Sequence, residues 1–154
     1  MRGQGTGADT DMAAPKLSRK ALEARLTAEF PEMFNPDSGY AIEQLWHGGV
    51  IVRRRFHPRS LRPGGTVSGP SIMALADFSI YLAVLSAIGW KPLAVTTNFN
   101  INFLRKPAPG DLLAEARLIK LGKRLAVGDI DIRSDGVDDL VAHATATYSL
   151  PLGR

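Results

Sequence analysis

Between Arg62 and Lys91 the chain carries one formal charge, Asp77. From Pro70 onward the apolar positions Ile72, Met73, Leu75, Ala76, Ile80, Leu82, Ala83, Val84, Leu85 and Ile88 cover almost the whole circumference of a helix. A helix apolar all round belongs in a core or a membrane. A carboxylate there costs several kcal/mol unless it is paired, hydrogen-bonded or protonated, and such groups gather at working sites. Asp77 is therefore the first candidate for chemistry.

The flanking patterns predict the elements that cover this helix. Ser18 suits the cap of an amphipathic helix with Leu22, Leu26 and Phe30 on one face, ending before Pro31. Two strand-like runs, Tyr40 to Trp46 and Val50 to Phe56, meet at His47-Gly48-Gly49, a hairpin turn. In the second run, Arg54 faces away from Arg53 and Arg55. After Pro92 the period becomes two: Val95, Thr97, Phe99, Ile101 and Phe103 form an apolar face opposite Thr96, Asn98, Asn100 and Asn102. A strand with Leu112, Ala114, Ala116 and Leu118 on one face follows Pro107, Pro109 and Gly110. In the next strand the apolar phase shifts from Leu125 and Val127 to Ile130 and Ile132, which predicts a β-bulge at Gly128. Leu140, Ala142, Ala144, Ala146, Tyr148 and Leu150 mark the last strand. The order predicts an α+β fold in which the last four strands form an antiparallel meander. The curved antiparallel sheet wraps around one long central helix.

Composition narrows the function. A chain of 154 residues, 45% hydrophobic, supports one domain, over residues 16–154 behind a disordered N-terminal lead at 1–15. The absence of cysteine excludes a disulfide framework, a thiolate metal site and a thiol nucleophile, and fits a cytoplasmic protein. A net charge of +4 suits an anionic ligand or simply solvated basic patches. No basic stripe with interleaved aromatics points to nucleic acid. The lead lacks the apolar run of a signal peptide. Asp77 and the Gly69-Pro70 start argue against a membrane span.

The run GGTVSGPSIMALAD resembles the hotdog-fold thioesterases of the phenylacetate-pathway (PaaI-like) type, and the likeness extends over roughly residues 40 to 150. That family has Gly-x-x-His-Gly-Gly leading into the helix, with an acid beyond it. Here the loop is Gly65-Thr66-Val67-Ser68-Gly69-Pro70, Asp77 falls on the acid, Ser68 stands for the usual His, and Arg62 falls near the usual Asn. The run LAVTTNFNINFLRKPAPGD is similar to the family's third strand, whose Ser or Thr reaches the neighbouring subunit's site; Thr96 holds that position.

The resemblance implies a homodimer or dimer of dimers that hydrolyses acyl-coenzyme A thioesters, coenzyme A being part of the substrate and no separate cofactor or metal being needed. In such a site Asp77 acts as general base on water, or less readily as nucleophile. The Gly69 N–H, at the positive end of the helix, is an oxyanion donor. Thr96 of the partner orients water or acid, and Ser68 supplies a substrate hydrogen bond or the N-cap. Arg105, Lys106, Lys123 and Arg124 are candidates for the phosphates. Phe78, Tyr81 and Trp90 are candidates for setting acyl length. His47, His57 and His143 have no nucleophile elbow beside them, so a serine triad is unsupported. No His near the loop or helix supports a hotdog dehydratase. A module that binds acyl-coenzyme A without cleaving it is the alternative.

Overall fold

The computed structural model describes residues 13–63 and 65–152. The expected disordered lead, 1–15, lies outside the described residues as far as residue 12. Its last part is laid against the sheet, where the His47 N–H donates to Ala13 O at 3.0 Å. Helix α1, Arg19–Glu29, opens on Ser18, whose Oγ accepts from the Ala21 N–H at 3.1 Å. Leu22 and Leu26 are fully buried. Phe30, at the C-terminal cap, meets Tyr81 edge-on with ring centroids 6.1 Å apart.

Strands β1, Tyr40–Trp46, and β2, Gly49–Arg54, form the hairpin the glycines predict, with Gly48 at φ 83° in the turn. The Gly48 N–H donates to Ser86 Oγ (2.9 Å), which donates to Ala83 O (2.6 Å), tying the turn to the helix. A two-residue hairpin, β3 Leu61–Arg62 and β4 Thr66–Val67, precedes the central helix α2, Gly69–Ile88. Thirteen of the 20 residues of α2 are buried. By length and hydropathy α2 meets the requirement for a membrane span, but 67% of that stretch is buried inside the protein, which makes it the core helix.

Strands β5 Val95–Phe103, β6 Leu112–Leu121, β7 Leu125–Ser134 and β8 Leu140–Ser149 complete a six-stranded antiparallel sheet in the order β1-β2-β6-β7-β8-β5. The expected four-strand meander is therefore corrected. Only β6, β7 and β8 follow one another; β6 pairs with β2, and β5 lies beyond β8 at the edge. The inward rows are rich in small residues, with Ala114 and Ala116 on β6, Ala126 and Gly128 on β7, and Ala142, Ala144 and Ala146 on β8, all buried. Small side chains let the bulky apolar helix approach the sheet closely.

The expected bulge at Gly128 is also corrected. On β7 the buried positions are Ala126, Gly128, Ile130 and Ile132 in unbroken alternation, while Leu125 is exposed. The extra residue belongs to β6, between Leu118 and Lys120. Gly128 is glycine because a Cβ there would lie 2.5 Å from Ile80 Cδ1 and 2.6 Å from Arg117 O. A second irregularity, between Thr96 and Asn98 on β5, matters more for the site.

Candidate active site

Asp77 lies two turns into α2 and is half-buried. Thr96 Oγ1 donates to Asp77 Oδ1 at 2.8 Å. Simple alternation would leave Thr96 on the polar face with the asparagines. The extra residue at Thr97 instead sets Thr96 opposite Tyr148 and Phe99 opposite Ala146, so Thr96 shares the inward face with Phe99 and Ile101. A bulge re-aims a side chain in this way. The result corrects the expected placement of Thr96 in the neighbouring subunit's site: its hydroxyl reaches the acid of its own chain.

Sequence reasoning missed Tyr148 as a site residue. Its hydroxyl lies 2.9 Å from the same Asp77 Oδ1 and 3.2 Å from the Asp77 backbone O. Burial, and then the neighbouring Asp77 charge, push the Tyr148 phenol well above its ordinary pKa, so it remains a neutral donor. A signal was present, because a phenol ending an inward row of alanines needs a polar partner. Asp77 was the one acid on the helix that the row faces. Both donors hold Oδ1, and no described residue donates to Oδ2. Around the acid a cavity of about 450 Å³ is lined by Phe30, Met33, Phe78, Tyr81 and Val95 among others. Trp90, the third expected length-setting residue, does not line it; its Nε1 donates to Glu29 Oε1 at 3.2 Å, and Arg25 lies over its ring.

Gly69 is the first residue of α2, and no described residue accepts from its N–H. Phe103, at the far end of β5, lies over it, 3.6 Å from where a Cβ would be. Gly69 and Asp77 are eight residues apart, about 12 Å along the axis. One carbonyl does not reach both in the same chain. Ser68 is the N-cap: its Oγ accepts from the Ser71 N–H at 3.3 Å and donates to Ser71 Oγ at 3.0 Å.

The four expected phosphate contacts do not form one group. Arg105 donates from Nε to Leu140 O at one end of β8, and Lys106 beside it is exposed. Lys123 and Arg124 sit at the other end, where the Leu150 N–H donates to Arg124 O, roughly 30 Å away over a ten-residue strand. With Lys91 they line a cavity of about 520 Å³.

On the outer face Asp129, Asp131 and His143 come close enough to share a metal ion. Arg117 already compensates both carboxylates, with Nη2 2.9 Å from Asp131 and Nε 3.5 Å from Asp129. That compensation makes the trio an ion-pair network.

The sequence pattern of the thioesterase superfamily matches residues 64–145, which include the whole of α2 and Thr96. The chain belongs to the thioesterase superfamily. It is a thioester hydrolase with the hotdog fold. A candidate thioesterase from Silicibacter sp. TM1040 is 45% identical and superposes with a TM-score of 0.80, covering 92% of this chain and 96% of that one. A variant of the phenylacetic acid degradation protein PaaI from Thermus thermophilus is 27% identical with a TM-score of 0.69, covering 79% and 99%. A hypothetical thioesterase protein from Streptococcus pneumoniae TIGR4, solved with coenzyme A, is 28% identical with a TM-score of 0.68, covering 75% and 88%.

Proposed function

We propose that this thioesterase hydrolyses a medium-chain or aryl acyl-coenzyme A thioester, with Asp77 as general base. The observation that carries the reading is the Asp77 carboxylate itself, with Oδ1 held by Thr96 and Tyr148 and Oδ2 left for water beside an apolar cavity. Water held at Oδ2 gives up a proton as its oxygen bonds to the thioester carbon. The C=O pair moves onto oxygen, where the Gly69 N–H stabilises it. Collapse breaks the C–S bond, and the proton on Asp77 leaves with the thiolate. Because of the spacing along α2, that Gly69 belongs to a second subunit. The exposed β5 edge, with Val95 and Phe103 half-exposed at its ends, is a surface suited to pairing.

The Streptococcus relative's coenzyme A supports the leaving group, and the cavity walls Phe30, Met33, Phe78 and Tyr81 support an apolar acyl group. Of the four expected phosphate contacts, Lys123 and Arg124 share a cavity with Lys91, and Arg105 and Lys106 are set apart from them.

The test is free-thiol release from a panel of acyl-coenzyme A esters, with the parent and Asp77→Asn. The expected result is turnover that falls at least about 100-fold in the variant, the scale of losing a positioned base. Equal activity in the variant removes Asp77 from the mechanism. Binding across the panel without turnover replaces the enzyme with a binding module. A monomer in light scattering that keeps full activity overturns the shared site.

A further inference from the structure

The inward row of β2 is Val50, Val52 and then Arg54, the first two fully buried and Arg54 half-buried. Arg54 is a cation where the sheet turns its core face to the helix. Its guanidinium lies 5.2 Å from the Tyr40 ring centroid and donates to Tyr40 Oη at 3.3 Å. Arg53, one residue away on the opposite face, is satisfied by three carboxylates, Glu43 at 2.6 Å, Asp135 at 2.8 Å and Asp111 at 3.0 Å. Among the described residues Arg54 and Arg59 have no carboxylate partner, and Arg55 makes no ion pair, feeling the Asp111 charge from a distance. All three line one cavity of about 470 Å³ with Ser71, and Asp37 is the one acid in its walls. The Arg59 backbone N–H donates to His57 Nδ1 at 3.0 Å, and its Nε lies 3.4 Å from the same atom, which fixes the residue in place.

A half-buried guanidinium without a counter-charge loses hydration with no ion pair in return. With the exposed Arg55 and Arg59, Arg54 brings three guanidiniums to one concave space whose walls hold a single acid, a net charge of +2 (three Arg less Asp37). A carboxylate is satisfied by one bidentate arginine. A phosphate monoester carries close to two charges and enough oxygens for several guanidinium forks, so it is the better match.

We infer that the Arg54, Arg55 and Arg59 cavity is a phosphate-monoester site, distinct from the acid at Asp77 and from the Lys91, Lys123 and Arg124 cavity. Its phosphate comes either from the 3′-phosphate of the substrate or from a separate phosphorylated ligand. The first source rests on the acyl-coenzyme A reading; the site itself does not.

The experiment titrates the full chain calorimetrically with adenosine 3′,5′-bisphosphate and with inorganic phosphate. It then measures kcat and KM on an acyl-coenzyme A and on the matching acyl-pantetheine. The variants are Arg54→Gln and the double change Arg55→Gln/Arg59→Gln, whose positions are exposed and leave the core intact. The expected result is saturable bisphosphate binding, displaced by phosphate and weakened about tenfold or more in both variants, the scale of one charge-assisted contact. If KM for the acyl-coenzyme A rises in step while acyl-pantetheine kinetics stay unchanged, the phosphate is the substrate's own. If binding weakens and KM does not move, it belongs to a separate ligand. Binding that is absent, or equally tight in both variants, overturns the inference. Phosphate binding that persists in a protein with no turnover on any thioester sinks the proposed activity and leaves this site standing.

Discussion

Replacing Tyr148 with phenylalanine deletes one oxygen from the site and leaves the ring that packs beside Tyr81, 6.2 Å between centroids. The lost hydroxyl is 2.9 Å from Asp77 Oδ1, and burial keeps it a neutral donor. A hydrogen bond to a charged acceptor contributes roughly 1.5–3 kcal/mol. At about 1.4 kcal/mol per tenfold, that is a loss of about 10- to 100-fold if the whole contribution is felt in the transition state. Thr96 still holds Oδ1 from 2.8 Å, so the single variant falls near the lower end, about tenfold in kcat. In the double variant Tyr148→Phe/Thr96→Val no described residue holds Oδ1. Its fall approaches the roughly 100-fold expected for Asp77→Asn.

The assay is thiol release with kcat and KM resolved separately, alongside thermal unfolding of each variant. A positioning role lowers kcat with KM nearly unchanged and with the variant folded at the assay temperature. A Tyr148→Phe enzyme within about twofold of the parent kcat, on a scale where one hydrogen bond is worth tenfold, refutes the reasoning.

Two further outcomes test the fold around the site. Gly128→Ala drives a methyl to 2.6 Å from the Arg117 carbonyl, a backbone atom that cannot rotate away, and should destabilise by about 1–3 kcal/mol; an unchanged midpoint in calorimetry contradicts the packing. Asp111 accepts from the Phe56 N–H at 2.7 Å and pairs with Arg53, and these contacts, the backbone one first, hold its carboxyl below the ordinary value of 3.8. A carboxyl depressed in the folded state adds stability that is fully present above its unfolded value and is lost as pH falls through the folded one. Asp111→Asn should therefore melt earlier than the parent at pH 7, with the gap closing below pH 3.8; a gap that stays constant into acid removes this linkage.

What was legible in the sequence was local. Helix α1 with its Ser18 cap, the hairpin about Gly48 and the inward rows of β6 and β8 follow from periodicity and turn chemistry, because each is decided by neighbours in the chain. The all-apolar α2 with its single acid was legible for the same reason. Strand neighbours were not: period two tells which residues share a face and says nothing of which strand lies alongside, so β5 beside β8 was invisible. The bulge at Thr97 is held by pairing with β8, some 50 residues on, and no residue at Thr97 marks it. Tyr148 read as one more inward apolar position because its hydroxyl answers to a carboxylate 71 residues earlier.

These hidden features bear on one arrangement. Strand β5 runs back along α2, so Thr96 at its start meets Asp77 while Phe103 at its end covers Gly69. On the proposed reading each chain carries the base with its two hydroxyls at one end of β5 and the oxyanion donor at the other. Pairing β5 with a second copy of itself, antiparallel about a twofold axis near Phe99 and Asn100, exchanges those ends. The base of one subunit then faces the Gly69 N–H of the other, twice over. An unpaired nine-residue edge is a liability in a lone subunit, and on this reading the pairing that covers it also completes both sites. Assembly and activity are therefore expected to fail together when β5 pairing is disrupted, while Tyr148→Phe lowers activity and leaves assembly intact.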